Sequence, residues 1–288
     1  MAKRPQIAVI GSTGSWHVAE LLQRCRGRAD GQIVTWPELA AVVSGGQEHF
    51  LPPAVEMADS LLVRGMPTGT LEQVISRMDI LGRLAAQGRR VVNQPAALEV
   101  AIDKYLATGR LAAAGLPVVP SAVVQSTAHL ERVREELGGS LIAKPLFGAN
   151  GRGICRIDSA GIHREMLDSQ GAILVQRQIP HDGWDVRVLV VGERTFAMKR
   201  VAPAGEWRTN IALGGQPVEF QAPGDWLDLA RRAAATVGAD LAGVDLLPAA
   251  DGSLWLLEVN AVPGWRALQR VVPDDIAAAV LELVIGSG

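Results

Sequence analysis

The chain has 288 residues, of which 48% are hydrophobic and 20% are charged, and its formal net charge is −2. This size and composition are typical of a globular protein with about two domains, and they exclude a peptide module and a general electrostatic attraction to nucleic acid. No apolar stretch approaches the ~20 residues of a membrane span, and the short polar start before Ile7 leaves no room for a secretory signal. Cys25 and Cys155 have no metal-ligand spacing around them. We therefore expect a cytoplasmic protein with no membrane segment, no nucleic-acid partner, no disulfide framework and no zinc site.

Strands and helices alternate over the first third of the chain. The 7–10 stretch is apolar, a glycine-containing turn follows at 11–15, and Val18 and Leu21 have helical spacing. The predicted elements here are strands at 7–10, 61–63 and 90–93, and helices beginning near residue 16 and covering 71–87. Because alternating strands and helices build parallel sheets, we predict a parallel α/β domain over residues 1–94.

From residue 95 onward the pattern changes to α+β. We predict a single helix over 96–114, opened by Pro95 and closed by Gly115. The other predicted elements are strands at 118–124, 141–144, 154–157, 173–176, 186–191, 195–201, 243–247 and 254–259, and helices at 130–137, 226–237 and 273–283. We divide this region into a central part at 95–180 and a carboxyl-terminal part at 181–288.

The most informative pattern is a predicted hairpin with acidic residues on both strands. If Asp251 and Gly252 form the centre of a two-residue turn, the strand pairing places Asp245 directly opposite Glu258. Asn260 shares the face of Glu258 because side chains alternate along a strand. Facing carboxylates repel each other, so the pattern predicts a cation between them, and Mg²⁺ is usually held by one or two carboxylates together with substrate phosphates. The alternative is a surface hairpin with solvated acids.

A lysine followed by glycines forms a second pattern. Lys144 ends an apolar predicted strand, and Gly148, Asn150, Gly151 and Gly153 follow. Glycines allow backbone N–H groups to approach phosphate oxygens, and the lysine supplies a compact positive charge. The segment does not match the Walker pattern, which excludes a P-loop NTPase. The alternatives are an ordinary glycine-rich turn and a lysine at a sheet edge.

Basic and amide side chains also gather before the acidic hairpin. They are Arg187, Lys199, Arg200, Arg208 and Asn210. Guanidinium groups suit phosphates, carboxylates and the charge that develops during phosphoryl transfer. Any one of these arginines could instead belong to a surface ion pair.

Taken in chain order, these motifs resemble those of RimK-type ATP-grasp ligases over roughly residues 90–285. The motifs are Asp103-Lys104, Lys144 with its glycine loop, 175–179, Asp185-Val186-Arg187, Arg208-Thr209-Asn210, Asp245, and Glu258-Val259-Asn260 continuing to Pro263-Gly264. The resemblance implies an ATP-grasp fold preceded by a parallel α/β domain, with the central part covering ATP and the carboxyl-terminal part holding the metal.

The resemblance also implies roles for individual residues. The positions that bind ATP correspond to Lys104, Lys144, Gly148, Asn150, Gly151, Gly153, Gln176, Arg177, Gln178, Ile179, Asp185, Arg208 and Asn210. The positions nearest the reacting groups correspond to Arg187, Arg200 and Arg208, and those that hold Mg²⁺ or Mn²⁺ correspond to Asp245, Glu258 and Asn260. Arg177 stands where relatives carry an acidic residue, whereas the 176–179 backbone is implied to line the adenine pocket.

The implied activity is ATP-dependent joining of a carboxylate to an amine through an acyl phosphate, with release of ADP and phosphate. The stretches 64–67, 71–73, 144–148 and 180–185 resemble a subgroup associated with tetrahydromethanopterin synthesis. This closer resemblance implies L-glutamate and a pterin-type cofactor as substrates, with Trp184, Trp207 and Trp265 either at the substrate end or in the core.

Three other functions remain open at this point. The chain could be a RimK-like ligase that adds glutamate to a peptide or protein, or an ATP-grasp protein that binds nucleotide without catalysis. The 11–14 turn could indicate a dinucleotide-binding oxidoreductase, but the full Gly-Xaa-Gly-Xaa-Xaa-Gly pattern is missing. The five histidines have no metal-binding spacing and we assign them no chemistry. Assembly into a homo-oligomer is compatible with the sequence, which does not determine it.

Overall fold

The computed structural model describes residues 3–148, 151–157 and 162–286. It begins with a four-stranded parallel sheet whose strand order is β2-β1-β5-β6. The strands are β1 (Gln6–Ile10), β2 (Asp30–Val34), β5 (Ser60–Val63) and β6 (Arg90–Val92). The helices of this region are α1 (Trp16–Cys25), α2 (Pro53–Glu56) and α3 (Leu71–Ala86). The predicted parallel α/β arrangement is confirmed.

Three strands of this region lack a strong sequence pattern. β2 contains three polar or glycine residues in five, and it joins the sheet through parallel pairing with β1. A two-stranded hairpin, β3 (Ala40–Ser44) with β4 (Gln47–Leu51), also extends from this part of the chain. All five residues of β3 are exposed, so no alternation of buried and exposed positions marks it.

The helix predicted over 96–114 is two helices, α4 (Pro95–Ile102) and α5 (Lys104–Ala113). Asp103 separates them and accepts hydrogen bonds from the backbone N–H groups of Tyr105 at 2.8 Å and Leu106 at 3.1 Å. An aspartate favours this N-cap position because its side chain satisfies N–H groups that have no partner inside the helix. The single-helix prediction is therefore wrong, and Lys104 is the first residue of α5.

A second sheet is antiparallel and has the order β7-β10-β8-β9. Its strands are β7 (Ser121–Val124), β8 (Leu141–Pro145), β9 (Cys155–Arg156) and β10 (Ile173–Arg177), and it carries α6 (Leu130–Leu137) and α7 (Ile162–Gln170). Leu130, Met166 and Leu167 from the helices join buried strand residues such as Ile173 and Val175 in a separate small core. Strand alternation thus turns one face of this sheet to its own helices and leaves Lys144 on the other face.

The third sheet is antiparallel, with five strands in the order β13-β12-β11-β14-β15. They are β11 (Trp184–Val191), β12 (Arg194–Val201), β13 (Gln216–Glu219), β14 (Leu241–Pro248) and β15 (Leu254–Asn260), accompanied by α8 (Gly224–Val237) and α9 (Ile276–Ile285). Residues of β11 and β14 share buried apolar clusters with residues of β1 and β5. The parallel sheet and this sheet are therefore packed through continuous cores. None of the helices in the described ranges has the length and apolar content needed to cross a membrane.

The β14–β15 hairpin has the predicted facing pair but a different turn. Ala249 N–H donates to the Ser253 carbonyl at 2.8 Å, so three residues, 250–252, form the turn instead of two. The register then shifts between Asp245 and Leu246, where Leu257 is an extra residue on β15. This bulge restores the pairing of Asp245 with Glu258. The facing of the two acids is confirmed, whereas the two-residue turn is wrong.

Candidate active site

A cleft of about 660 Å³, open to solvent, lies between the second and third sheets. Many of the predicted site residues line it together. They are Lys144, Gln176, Arg177, Gln178, Ile179, Asp185, Arg200, Arg208, Asn210, Asp245 and Glu258. Positive side chains from both sheets thus face one another beside a carboxylate pair, which is the arrangement expected around a phosphate-bearing ligand.

Two lysines approach the carboxylate of Glu258 from different elements. Lys144 Nζ donates to Gln176 Oε1 at 2.5 Å, and Gln176 Nε2 in turn donates to Ser121 Oγ at 3.0 Å. Burial lowers the pKa of Lys144 to about 8, with Glu258 opposing this shift. Burial also lowers the pKa of Lys104, again against the influence of Glu258.

Lys104 lies beside the cleft and binds the loop that follows β8. Its Nζ donates to the carbonyl of Leu146 at 3.3 Å and to that of Gly148 at 2.8 Å. Both carbonyls belong to the segment that leads into the glycine loop. The first residue of α5 therefore holds this loop close to Glu258, although Lys104 and Gly148 are not among the residues lining the cleft.

A buried ion network forms the floor of the cleft. Arg200 donates to both carboxylate oxygens of Asp185, at 2.7 Å and 2.5 Å, and its Nη2 lies 2.9 Å from Asp245 Oδ2. Arg187 contacts Asp245 through Nε, and its Nη2 donates to Asp245 Oδ2 at 3.0 Å. Thr209 Oγ1 donates to Asp185 Oδ2 at 2.6 Å. Both carboxylates are almost completely buried.

This network changes the interpretation of the facing acids. Burial opposes ionisation of Asp245, but Arg187 and Arg200 outweigh burial and hold the pKa of Asp245 below its usual value. Likewise, burial opposes the charge of Arg200, while Asp245 and Asp185 raise its pKa. Repulsion between Asp245 and Glu258 is therefore no argument for a cation by itself, because two arginines already neutralise Asp245, and the metal site stays a prediction.

Arg208 connects the third sheet to the hairpin of the second. Its Nε and Nη2 donate to Glu206 at 3.1 Å and 2.7 Å, and its Nη1 donates to the Ile154 carbonyl at 3.2 Å. Hydrogen bonds from Arg208 lower the pKa of Glu206 to about 2, so the pair is charged at neutral pH. Ile154 lies in the turn between β8 and β9. Arg208 therefore spans the mouth of the cleft.

Glycines are sterically required in that turn. Gly151 and Gly153 have φ values of +70° and +72°, in the left-handed region that favours glycine. A Cβ atom at Gly153 would lie 2.9 Å from Cγ of Pro145, and one at Gly151 would overlap the side chain of Asn210. The turn thus packs against Asn210 at the cleft. Asn150, the other predicted member of the loop, lies outside the described residues.

The chain matches a family model for the RimK-like ATP-grasp domain over residues 101–284. It is 34% identical to tetrahydromethanopterin:alpha-L-glutamate ligase of Methanosarcina acetivorans over 256 residues, which cover 78% of this chain and 79% of that protein. The chain belongs to the RimK-like ATP-grasp family. It is accordingly an ATP-grasp ligase, an enzyme that forms C–N bonds.

Two further comparisons agree with this assignment. A probable alpha-L-glutamate ligase of Legionella pneumophila is 31% identical over 212 residues, covering 71% of this chain and 70% of that protein. The solved structure of the ATP-grasp ligase PsnB with a minimal precursor has a TM-score of 0.76 at 21% identity and covers 98% of both chains. The latter similarity establishes the ATP-grasp fold for the whole chain, including the preceding parallel sheet.

The acidic residues of this ATP-grasp ligase suit Mg²⁺ only if further ligands come from the nucleotide. In the described part of the chain, no cluster of three or more His, Cys, Asp or Glu residues could hold a metal by itself. Glu258 is partly buried and lines the cleft, and the buried Asp245 Oδ1 contacts Arg187 without hydrogen-bond geometry. Two carboxylates completed by phosphate oxygens are the usual setting for Mg²⁺, so the residues present fit the ion.

Asn260 and the predicted adenine segment are engaged in local contacts. Asn260 Oδ1 accepts a hydrogen bond from Val262 N–H at 2.8 Å. The N–H groups of Arg177 and Gln178 donate to the carbonyls of Pro120 and Ser140 at 2.9 Å and 2.7 Å. These two N–H groups are therefore not available to a bound base.

Several lining residues were not predicted from the sequence. They are Ile142, Ile154, His181, Leu247 and Leu257. Trp207, expected either at the substrate end or in the core, and Thr209, from the Arg208-Thr209-Asn210 motif, also line the cleft. Ile142 could have been found, because strand alternation places it on the same face as Lys144. His181 has no such signal: its Nδ1 accepts Gly183 N–H at 3.2 Å, and burial lowers its pKa. Of the predicted residues, Arg187 reaches the site only through Asp245.

Proposed function

We propose that this ligase activates a substrate carboxylate as an acyl phosphate with ATP and joins it to the amine of L-glutamate, on a tetrahydromethanopterin-type acceptor. The observation that carries the proposal is the convergence of Lys144, Arg208 and Glu258 in one cleft between two sheets. The similarity to the Methanosarcina acetivorans protein, which is named for this acceptor and for L-glutamate, supports the choice of substrates.

The residues of the cleft would divide the work of phosphoryl transfer. Lys144 and Lys104 would stabilise the negative charge of the phosphates, and Arg208 would contact the group in transfer between ATP and the carboxylate. Bound Mg²⁺, held by Glu258 and Asp245, would neutralise phosphate charge and orient the triphosphate. Arg187 and Arg200 would position Asp245. The proposed reaction requires no nucleophile from the protein.

The glycine turn would protect the activated carboxylate from water. Its contact with Asn210 and the bond from Arg208 to Ile154 place it over the cleft. An acyl phosphate hydrolyses unless water is excluded, so a cover at this position serves the second step, in which the amine attacks.

Product analysis tests the proposal. Purified protein is incubated with ATP, MgCl₂, L-glutamate and either tetrahydromethanopterin or a peptide with a carboxyl-terminal glutamate, and ADP, phosphate and product mass are followed. We expect acceptor-dependent ADP and a pterin product heavier by one glutamyl residue. Acceptor carboxylate labelled with ¹⁸O should transfer one labelled oxygen to phosphate.

The alternative outcomes separate the parts of the proposal. Release of AMP and pyrophosphate, or absence of ¹⁸O in phosphate, would refute the acyl phosphate. Glutamate added to the peptide and not to the pterin would refute the acceptor and retain the ligase class. ADP release that does not depend on any acceptor, at the same rate in Lys144→Met, would refute the assignment of the cleft.

A further inference from the structure

A second cavity lies at the carboxyl edge of the parallel sheet, outside the nucleotide cleft. It has about 890 Å³ of space open to solvent and is lined by residues that follow β1, β2 and β5, among them Gly11, Thr35 and Arg64. Among the described residues, none lines both this cavity and the cleft. In open α/β sheets, ligands bind in crevices at this edge, where the strands end.

Arg64 is a buried, charged side chain, and only some of its hydrogen-bond donors have an acceptor. It is only 8% exposed, its Nη2 donates to the Pro263 carbonyl at 2.7 Å, and its guanidinium stacks 4.4 Å from the centre of the Trp265 ring. Within the described ranges, its Nε and Nη1 are buried and have no hydrogen-bond partner. A buried cation with unsatisfied donors is costly, and an anion is the group that removes this cost.

The charges around Arg64 do not compensate it, which also favours an anionic ligand. Burial lowers the pKa of Arg64 to about 9, so the guanidinium is still charged at neutral pH. In the described part of the chain, Arg64 forms no ion pair with a carboxylate. Neighbouring His17 accepts the backbone N–H of Trp265 at 2.9 Å, and burial together with Arg64 and Arg266 lowers the pKa of His17 to about 4. His17 is therefore neutral at pH 7, and of His17, Arg64 and Arg266, Arg64 is the one that lines the cavity.

The start of α1 adds N–H donors beside the same cavity. A tight turn, closed by Ser15 N–H to the Ser12 carbonyl at 3.0 Å, leads into this ten-residue helix. The Ser15 side chain does not cap the helix, and its first turn contains no acidic residue. A Cβ atom at Gly11 would lie 3.4 Å from Cβ of Arg64, so the turn packs close to the arginine stem. Helix N-termini carry free N–H groups and a partial positive charge that favour anions.

The cavity is connected to the ligase cleft through the segment after β15. Pro263, whose carbonyl accepts from Arg64, follows Asn260 by three residues. A Cβ atom at Gly243 would lie 3.0 Å from Pro263 and would also overlap Arg187, the partner of Asp245. Pro263 therefore links Arg64 to the part of β14 that contacts Arg187, the partner of Asp245 in the floor of the cleft.

We propose that Arg64 and the 11–15 turn form a second anion site, which binds a carboxylate or phosphate group of a small acidic substrate. The role of that ligand as a substrate rests on the proposed ligase reaction, whereas the anion site does not. The site gives a function to the 64–67 segment, which the nucleotide cleft leaves unused.

Calorimetry tests the site without turnover. Inorganic phosphate and L-glutamate are titrated separately into protein with the nucleotide cleft filled by excess ADP and Mg²⁺. We expect Arg64→Met to weaken binding about 10- to 100-fold, because a charge-assisted hydrogen bond is lost. The matched control is Arg89→Met, which removes an arginine bonded to the carbonyls of Ala58 and Glu56 at the opposite edge of the same sheet. It should bind as the wild type does.

Each outcome decides the proposal. Arg64-dependent binding of phosphate alone identifies a phosphorylated ligand, and Arg64-dependent binding of L-glutamate identifies the amino-acid substrate. Equal affinity in wild type and Arg64→Met, or no binding of either probe, overturns the site. A wild-type crystal soaked in selenate gives a test that needs no variant: no anomalous peak within hydrogen-bond distance of Arg64 Nε or Nη1 also overturns it. Anion binding at Arg64 without any ADP release would refute the ligase reaction and leave the site standing.

Discussion

Replacing Arg200 by Met is the most direct test of the buried network beneath the cleft. The substitution keeps an unbranched side chain of similar length and removes the charge between Asp185 and Asp245. Asp185 would retain the Thr209 hydroxyl, and Asp245 would retain Arg187. Each carboxylate would then be buried with less positive charge beside it than in the native protein.

The expected loss follows from burial. The side chains of Arg200, Asp185 and Asp245 are 4%, 2% and 6% exposed, so solvent cannot replace the missing charge. Removing one partner of a buried ion pair costs about 3–5 kcal/mol, a large part of the roughly 5–15 kcal/mol by which a domain is stable. Arg194 on the same strand is the matched control, because its side chain is 60% exposed and its pair with Glu282 should contribute about 0–1 kcal/mol.

Urea unfolding at two pH values measures both the size of this loss in the free energy of unfolding and the sign of its pH dependence. The pKa of Asp245 is lowered on folding, so its charge contributes stability above the ordinary carboxyl pKa of about 3.9, and this contribution is lost as pH falls through the lower folded value. The difference in the free energy of unfolding between wild type and Arg200→Met should therefore be largest at neutral pH and should become smaller below about pH 4. A loss at pH 7 no greater than that of Arg194→Met, or a difference independent of pH, would refute the reasoning.

Two further predictions concern the nucleotide cleft. Glu258→Gln keeps the shape of the side chain and removes its charge, so Mg²⁺-dependent turnover should fall by orders of magnitude at an unchanged Tm. Asp251→Asn, at the tip of the same hairpin, is the control, and wild-type turnover in Glu258→Gln would contradict the metal assignment. Because burial lowers the pKa of Lys144 to about 8, the free enzyme loses this positive charge as pH rises through that value, and the KM for ATP should increase. Lys144→Met should lack this pH dependence of the KM for ATP. A wild-type KM for ATP that does not change between about pH 7 and 9 would contradict the role of the Lys144 charge in binding ATP.

Local patterns predicted elements whose physical cause is also local. The sequence predicts β1 and β5 because each is a short continuous apolar run that is buried along its length, and it predicts α3 because apolar residues recur at helical spacing. β2 and β3 were missed because β2 depends on pairing with β1 and β3 has no buried residue. Helical periodicity predicts Asp103 inside one longer helix, although an aspartate is equally an N-cap signal because its side chain can accept from the N–H groups that follow it.

The sequence predicts which residues come together along the cleft more completely than it predicts the hairpin geometry that brings them together. The facing of Asp245 and Glu258 was inferred from a two-residue turn, and it holds because a longer turn and a bulge at Leu257 compensate each other. A single sequence contains no separate signal for the bulge. The motif order identified the ATP-grasp family without this detail, because the order of charged residues does not depend on turn length.

The neutralisation of Asp245 by two arginines could not be predicted from the sequence, because it depends on which strands are neighbours in the sheet. β11 lies between β12 and β14, and this order places Asp185 directly opposite Arg200 and Arg187 directly opposite Asp245. These cross-strand pairs bind Asp245 into the sheet, whereas Glu258 forms no ion pair among the described residues and faces two lysines. The two acids therefore have different physical tasks. Asp245 anchors the arginines of the floor, whereas Glu258 lines the cleft beside two lysines. We propose that Glu258 is the acid that exchanges these lysine neighbours for Mg²⁺ when phosphates bind, while Asp245 supplies the second oxygen from its place in the arginine network.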